Sequence, residues 1–290
     1  MTLDDVKAFI QAESKRLDPE SRYISELLER VNLAQSVGAL ESLLADSRGA
    51  FWAGHYAWNR MTLKEKLRAN LITNETSMMR FETEEMRCLR SRVIPFLRFL
   101  AKHRPPEILS LPCSHGEESV SLAIEFKENG LQDFTISGYD IQRASIEVAR
   151  SGKIPISGMP RYVTATVAPE IMRHLVFEEA DVFAPVNDAS PQRVYDLVVC
   201  RNFLGYFTPD VAKQVLDKLW AMTEDPGMLF LDSFIMGKYP ELFDRWADYR
   251  FPGLPFFLKN TKGDHEANRF VNAQDEAVAS PAGRSGRARP

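Results

Sequence analysis

The most constraining feature of this chain is an apolar stretch, Glu107-Ile108-Leu109-Ser110-Leu111, that runs into Pro112-Cys113-Ser114-His115-Gly116-Glu117-Glu118. A second apolar stretch, Phe134-Thr135-Ile136-Ser137-Gly138-Tyr139, ends in Asp140, 22 residues after Glu118. The pattern reads as strand, small-residue turn, helix, strand, acid. In that layout a nucleotide-like ligand lies over the first turn, and an acid at the tip of the second strand takes its ribose hydroxyls. The turn has one glycine and no G-x-G-x-x-G, and two glutamates open the helix, where they would repel a phosphate. They suit a ligand with a cationic part, and S-adenosyl-L-methionine (SAM) carries an ammonium and a sulfonium. An α/β core with no ligand can show the same pattern, so other segments must decide.

Three of them do. Asn74-Glu75-Thr76-Ser77-Met78-Met79-Arg80 matches N-x-T-x-F-F-R, with methionines in place of two phenylalanines. Gly138-Tyr139-Asp140-Ile141 matches G-T-D-I, and Cys200-Arg201-Asn202-Phe203-Leu204-Gly205-Tyr206-Phe207 matches C-R-N-V-x-I-Y-F. With Pro112–Glu118 standing at G-C-S-T-G-E-E, the chain resembles the CheR family over about residues 70 to 235. These are SAM-dependent methyltransferases that esterify glutamates of bacterial chemoreceptors. The resemblance implies a class I, Rossmann-like α/β methyltransferase sheet with a small all-helical N-terminal domain.

Composition is consistent with that class. The 290 residues allow one large or two modest domains, and no apolar run approaches the 18 residues of a membrane span. The acidic start Met1-Thr2-Leu3-Asp4-Asp5 lacks the layout of a secretion signal, and Cys88, Cys113 and Cys200 have no metal-type spacing. A cytoplasmic protein with reduced thiols and no metal is expected. The formal charge of −4 argues against nucleic acid as an obligatory partner.

Along the chain, residues 1–72 read as a helical domain. Its stripes are Leu3, Val6, Phe9, Ile10; then Ile24, Leu27, Leu28, Val31; then Ala39, Leu40, Leu43, Leu44. Asp18-Pro19 reads as a helix start, and the aromatic-rich stretch Gly49–Trp58 as a packed joint. Residues 73–275 form the methyltransferase domain. A helix with apolar stripe Met86, Leu89, Val93, Phe96, Leu97, Leu100 precedes strands at 107–111, 134–139, 175–179, 195–200 and 228–233. Helices are expected at 117–129, 141–151 and 209–223, and Leu254–Leu258 resembles the family's antiparallel last strand. Residues 276–290 have the composition of a disordered tail.

Methyl transfer to an ionised carboxylate needs alignment and water exclusion more than acid–base chemistry. By resemblance, Arg80 orients the incoming carboxylate beside the methyl donor, and its planar fork suits that task. Tyr206 is the second catalytic candidate, as a hydrogen-bond donor near the acceptor. For the cofactor, the resemblance implies Asn74, Thr76 and Arg80, Glu117 at the amino-acid end, Asp140 at the ribose, Asp181 and Val182 beside the adenine, and Arg201 and Asn202 along its middle. Purely local roles compete: Asn74 and Thr76 as helix caps, Glu117 as a helix-start acid, Asp140 as a cap, and Tyr206 and Phe207 as core. For Phe207 packing is preferred.

Pro112, His115 and Gly205 depart from the family pattern, as does Asp232-Ser233-Phe234-Ile235 where G-H-S-E is usual. Between Gly152 and Phe177 the chain is about 20 residues too short for the family's three-stranded β-subdomain. Docking of a receptor's tether pentapeptide is therefore not expected. The expected partner is the cytoplasmic helical bundle of a chemoreceptor or a related signalling protein, with S-adenosyl-L-homocysteine (SAH) as product and no membrane insertion. The alternatives are a methyltransferase on the same fold with another acceptor, or an inactive SAM- or SAH-binding module.

Overall fold

The computed structural model describes residues 1–18, 22–46, 62–64, 66–67, 84–155, 164–183 and 193–272. Three helices come first: α1 (Leu3–Ser14), α2 (Arg22–Leu33) and α3 (Val37–Asp46). A capping box opens α1, with Thr2 Oγ1 accepting from the Asp5 N–H and the Asp5 carboxylate accepting from the Thr2 N–H. Such a cap satisfies N–H groups that the first helical turn leaves without intrahelical partners. The predicted stripes face inward: Val6, Ile10, Leu27, Val31, Leu40 and Leu44 are buried. They join Leu109, Val198 and Leu216 in one apolar cluster, so the helical layer and one face of the sheet share a core.

A long helical stretch follows as α4 (Glu84–Cys88), a π turn (Leu89–Val93) and α5 (Ile94–Leu100). Met86, Leu89, Val93, Phe96 and Leu97 of the predicted stripe are buried. The sheet consists of β1 (Glu107–Ser110), β2 (Thr135–Asp140), β5 (Leu175–Glu179), β6 (Tyr195–Val199), β7 (Thr223–Phe230) and β8 (Phe256–Lys259), in the order β5-β2-β1-β6-β7-β8. All neighbours are parallel except β7 and β8. Helices α6 (Glu117–Glu128), α7 (Arg143–Ser151) and α9 (Pro209–Met222) follow β1, β2 and β6. The chain winds outward from β1 through β2 to β5, then returns to lay β6 against β1's other edge. That reversal is the topological switch point, which places a crevice at the carboxyl ends of β1 and β6.

The expected strands are present with shifted ends; the one expected at 228–233 stops at Phe230, because a helix begins at Ser233. The last parallel strand starts at Thr223, five residues early, because Thr223 pairs with Tyr195 across an irregularity before Met228 meets Leu197. The second helix starts at Arg143, because Gln142 still has an extended backbone. Among the described residues, the short span after Gly152 holds an antiparallel pair, β3 (Lys153–Pro155) with β4 (Thr164–Thr166), and a helical turn, α8 (Pro169–Met172). The aromatic stretch 49–58 and the tail 276–290 lie outside the described residues.

Candidate cofactor site

The loop after β1 is tied to both neighbouring strands. Leu111 N donates to Val199 O (2.9 Å) and Cys113 N to Tyr139 O (2.8 Å). The Leu111–Pro112 peptide is cis, and Ser114 has φ 50°. The only other described non-glycine residue with positive φ is Asn202 (φ 53°), at the end of β6. Both therefore lie at the switch-point crevice, where local backbone cost of order 1 kcal/mol or more commonly marks a functional loop. Gly116 (φ 89°) and Gly138 make room for one side chain. A Cβ at Gly116 would lie 2.8 Å from Phe177 Cζ, and one at Gly138 would lie 2.6 Å from Phe177 Cδ1. Phe177 of β5 thus packs beneath the loop against backbone.

Three acids converge on this loop. Asp140 is 7% exposed; its Oδ2 accepts from Ser114 N and its Oδ1 from Gln142 N, both at 2.9 Å. Burial pushes its carboxyl above the ordinary carboxylate range, outweighing the pull of those two N–H groups. Glu117, at the start of α6, is 1% exposed. Its Oε1 lies 3.4 Å from Nδ1 of the fully buried His115 but makes no hydrogen bond. Among the described residues no lysine or arginine pairs with Glu117 or Asp140. Glu118 differs: Arg201 Nη1 lies 3.3 Å from its Oε2. Burial still pushes the Glu118 carboxyl up, against the pull of Arg201.

At the end of β6, Arg201 is shared. Its Nη2 lies 3.6 Å from Glu85 Oε2, and its guanidinium sits 5.2 Å above the Phe230 ring. Ser233 Oγ donates to Glu85 Oε1 (2.8 Å). Asp232 holds the turn: its Oδ2 accepts from Asn202 N (3.0 Å), while its Oδ1 caps helix α10 (Ser233–Lys238) at Ile235 N (2.9 Å). Tyr206 is half-buried in the 3-10 turn Leu204–Tyr206, and Phe207 is buried against Phe183 and Phe203. Asp181 is exposed and binds its own loop at Phe183 N (2.8 Å), and the Val182 carbonyl accepts from Lys218 Nζ (2.7 Å).

The crevice therefore brings together Glu117, Asp140, Arg201 and Asn202 of the sequence-predicted set, with Tyr206 on the loop that follows. Asn74, Thr76 and Arg80 lie outside the described residues. Glu85 and Asp232 are additions that the sequence reading missed. An acid at or just past the carboxyl end of a strand, the signal that marks Asp140, also marks Asp232; Glu85 carries no comparable signal. Cys113 and Cys200 are no nucleophiles, because burial pushes both thiols well up, with Asp140 and Asp232 adding to the effect. No group of His, Cys, Asp and Glu among the described residues could hold a metal ion, and no described helix is long and apolar enough to cross a membrane.

SAM suits this donor set. A carboxylate offers roughly four acceptor sites, so Asp140 keeps two beyond its backbone bonds for hydroxyls. The buried Glu117 oxygen without a hydrogen bond offers a place for a cation. Sheet order, antiparallel last strand and paired acids define a class I SAM-dependent methyltransferase fold. A family model, "CheR methyltransferase, SAM binding domain", matches residues 74–234, and the chain belongs to that family, with SAM as its cofactor. The "Probable biofilm formation methyltransferase WspC" of Pseudomonas putida is 30% identical over 237 residues, 73% of this chain and 55% of that one. A "Chemotaxis protein methyltransferase" of Campylobacter jejuni is 23% identical over 75% of this chain and 89% of its own length. "Chemotaxis protein methyltransferase 1" of Pseudomonas aeruginosa is 26% identical over 73% and 79%. The match thus spans about half of the first relative and most of the other two.

Proposed function

We propose that this protein transfers the methyl group of SAM to glutamate side-chain carboxylates on the cytoplasmic helical bundle of a chemoreceptor or a related signalling protein, giving a methyl ester and SAH. The observation that carries the reading is the pair of buried acids, Glu117 and Asp140, with no lysine or arginine partner among the described residues, at the carboxyl edge of a CheR-family sheet. Bound SAM supplies an already activated methyl on a sulfonium. Glu117 receives the cationic amino-acid end, Asp140 takes the ribose hydroxyls, and Asn74, Thr76, Arg201 and Asn202 line the middle, with Asp181 and Val182 beside the adenine. Arg80 grips the acceptor carboxylate in line with the methyl, and Tyr206 donates to the same group. Arg201 also partly neutralises Glu118 and Glu85, which keeps the rim from repelling an anionic acceptor.

The chemotaxis names of two relatives support a receptor as acceptor, and the biofilm name of the third supports a related signalling protein. The short span between Gly152 and Phe177, about 20 residues less than a three-stranded subdomain needs, supports recognition without a tether. The test is transfer of a labelled methyl from SAM to a receptor cytoplasmic fragment. The expected product is a base-labile ester, lost in Arg80→Ala while SAM affinity stays within about threefold, as for a group that acts on the acceptor. Unchanged transfer in that variant removes Arg80 from its role. SAM binding without any labelled receptor removes the acceptor.

A further inference from the structure

The N-terminal helices touch the site at one seam. Leu17 forms an antiparallel bridge with Phe207. Asp18 N donates to Tyr206 O (2.8 Å), and Thr208 N donates to Arg16 O (3.2 Å). The Arg16 guanidinium lies 5.0 Å above the Phe183 ring, which meets Phe207 edge-on. Lys238, the last residue of α10, closes the seam: its Nζ donates to Asp18 Oδ2 (2.5 Å) and to Gly205 O (2.6 Å). The neighbouring Tyr239 donates its hydroxyl to Phe207 O (2.9 Å).

We propose that Lys238 is a positioning residue for methyl transfer, locking the segment Arg16–Asp18 onto the loop that carries Tyr206. The inference rests on the proposed function for its catalytic consequence only. A three-residue 3-10 turn has few internal hydrogen bonds to fix its place. Gly205 adds no side-chain packing of its own; the exposed Phe234 ring lies over it instead. Besides its buried Leu204 and Phe207 side chains, the loop is held by backbone bonds to Arg16 and Asp18 and by the ammonium beneath Gly205 O. The Lys238 and Asp18 side chains are 24% and 19% exposed, so water competes for their bond less than at an open surface. Burial pulls the Lys238 ammonium down, but Asp18 and Tyr239 outweigh it and leave its pKa raised, so the lock stays charged at neutral pH. Because a misplacement near 1 Å can cost about 100-fold in rate, a lock on Tyr206 acts on turnover. The same segment follows α1, so it also links the reacting loop to the helices that precede the methyltransferase sheet.

Hydrogen exchange on the full chain tests the lock without any acceptor. Lys238→Met should speed exchange of the Asp18 and Thr208 amides about tenfold, as expected for loss of a charged hydrogen bond, with the β1 and β2 amides unchanged. With a receptor fragment, kcat should fall about tenfold while the KM for SAM stays within about twofold, and Lys238→Arg should restore most of the loss. Asp18→Asn should act in the same direction but less, because Lys238 keeps Gly205 O, and adding it to Lys238→Met should do no further harm. It also serves if Lys238→Met does not fold. Unchanged exchange at the seam, additive losses, or an equal rise in the KM for SAM would overturn the lock. If the wild type labels no receptor, the proposed acceptor fails, and the exchange rates still decide for or against the lock.

Discussion

The two ends of the sheet treat buried acids in opposite ways. At the amino end, Asp196 is fully buried, and Arg104 grips both of its oxygens at 2.7 Å while Glu107 N donates at 2.8 Å. In α6, away from the loops, Glu125 is 1% exposed and takes both Arg90 Nε and Nη2, at 2.9 and 3.0 Å. At the carboxyl end, among the described residues, Asp140 has backbone donors alone, and Glu117 Oε1 has a histidine at 3.4 Å without a hydrogen bond. A buried carboxylate without a cation is costly. The first arrangement stabilises the fold, and the second keeps acceptor capacity for a cationic ligand.

The contrast can be broken most strongly at the amino end. Arg104→Ala leaves Asp196 buried with one N–H donor, and unfolding should become easier by about 3 kcal/mol. SAM affinity should not change. Denaturant melts with parallel titrations check this, and a loss of affinity without loss of stability would erase the distinction between the two ends.

The pH response sharpens it. Asp140 and Glu118 both have pKa values raised in the folded state, so the stability they lend is present below the ordinary carboxylate range. That stability is lost as pH rises through the raised values. Ribose hydroxyls donating to Asp140 favour its ionised form, so SAM affinity should rise as pH climbs from the ordinary carboxylate range through the raised value, by up to about tenfold per unit for one proton. Calorimetry in buffers of different ionisation enthalpy should show proton release on binding; proton uptake would contradict the assignment.

The smallest expected effect is at the rim. A Cβ at Gly205 would lie 2.5 Å from Phe234 Cε1, but that ring is 66% exposed and can swing away. Gly205→Ala should therefore change stability by less than about 0.5 kcal/mol. A thermal melt checks it, and a large loss would mean that the ring is held in place.

Legibility follows the range of the interactions. The parallel strands read clearly because buried strands are near-continuous apolar runs, as at Leu197-Val198-Val199, all three buried. Asp140 and Glu117 are legible because strand, turn and helix start fix them locally. The π turn at Leu89–Val93 is not, since its apolar residues satisfy the ordinary helical stripe as well. Asp18 reads locally as a helix cap, yet its carboxylate goes to Lys238, 220 residues away. The Glu85–Arg201–Glu118 set likewise joins three distant segments, and no local pattern announces it. Pro112 and Gly205 look like defects in a motif. The structure shows the Pro112 loop still bonded to β2 and β6, and Gly205 covered by Phe234.

The central claim is that the carboxyl-end acids hold SAM, and Asp140 tests it most directly. Calorimetric titration of SAM into the wild type should show micromolar binding. In a folded Asp140→Ala variant, affinity should fall about 100-fold, because two hydrogen bonds to a buried carboxylate are lost. Equal affinity in the two proteins would contradict the account.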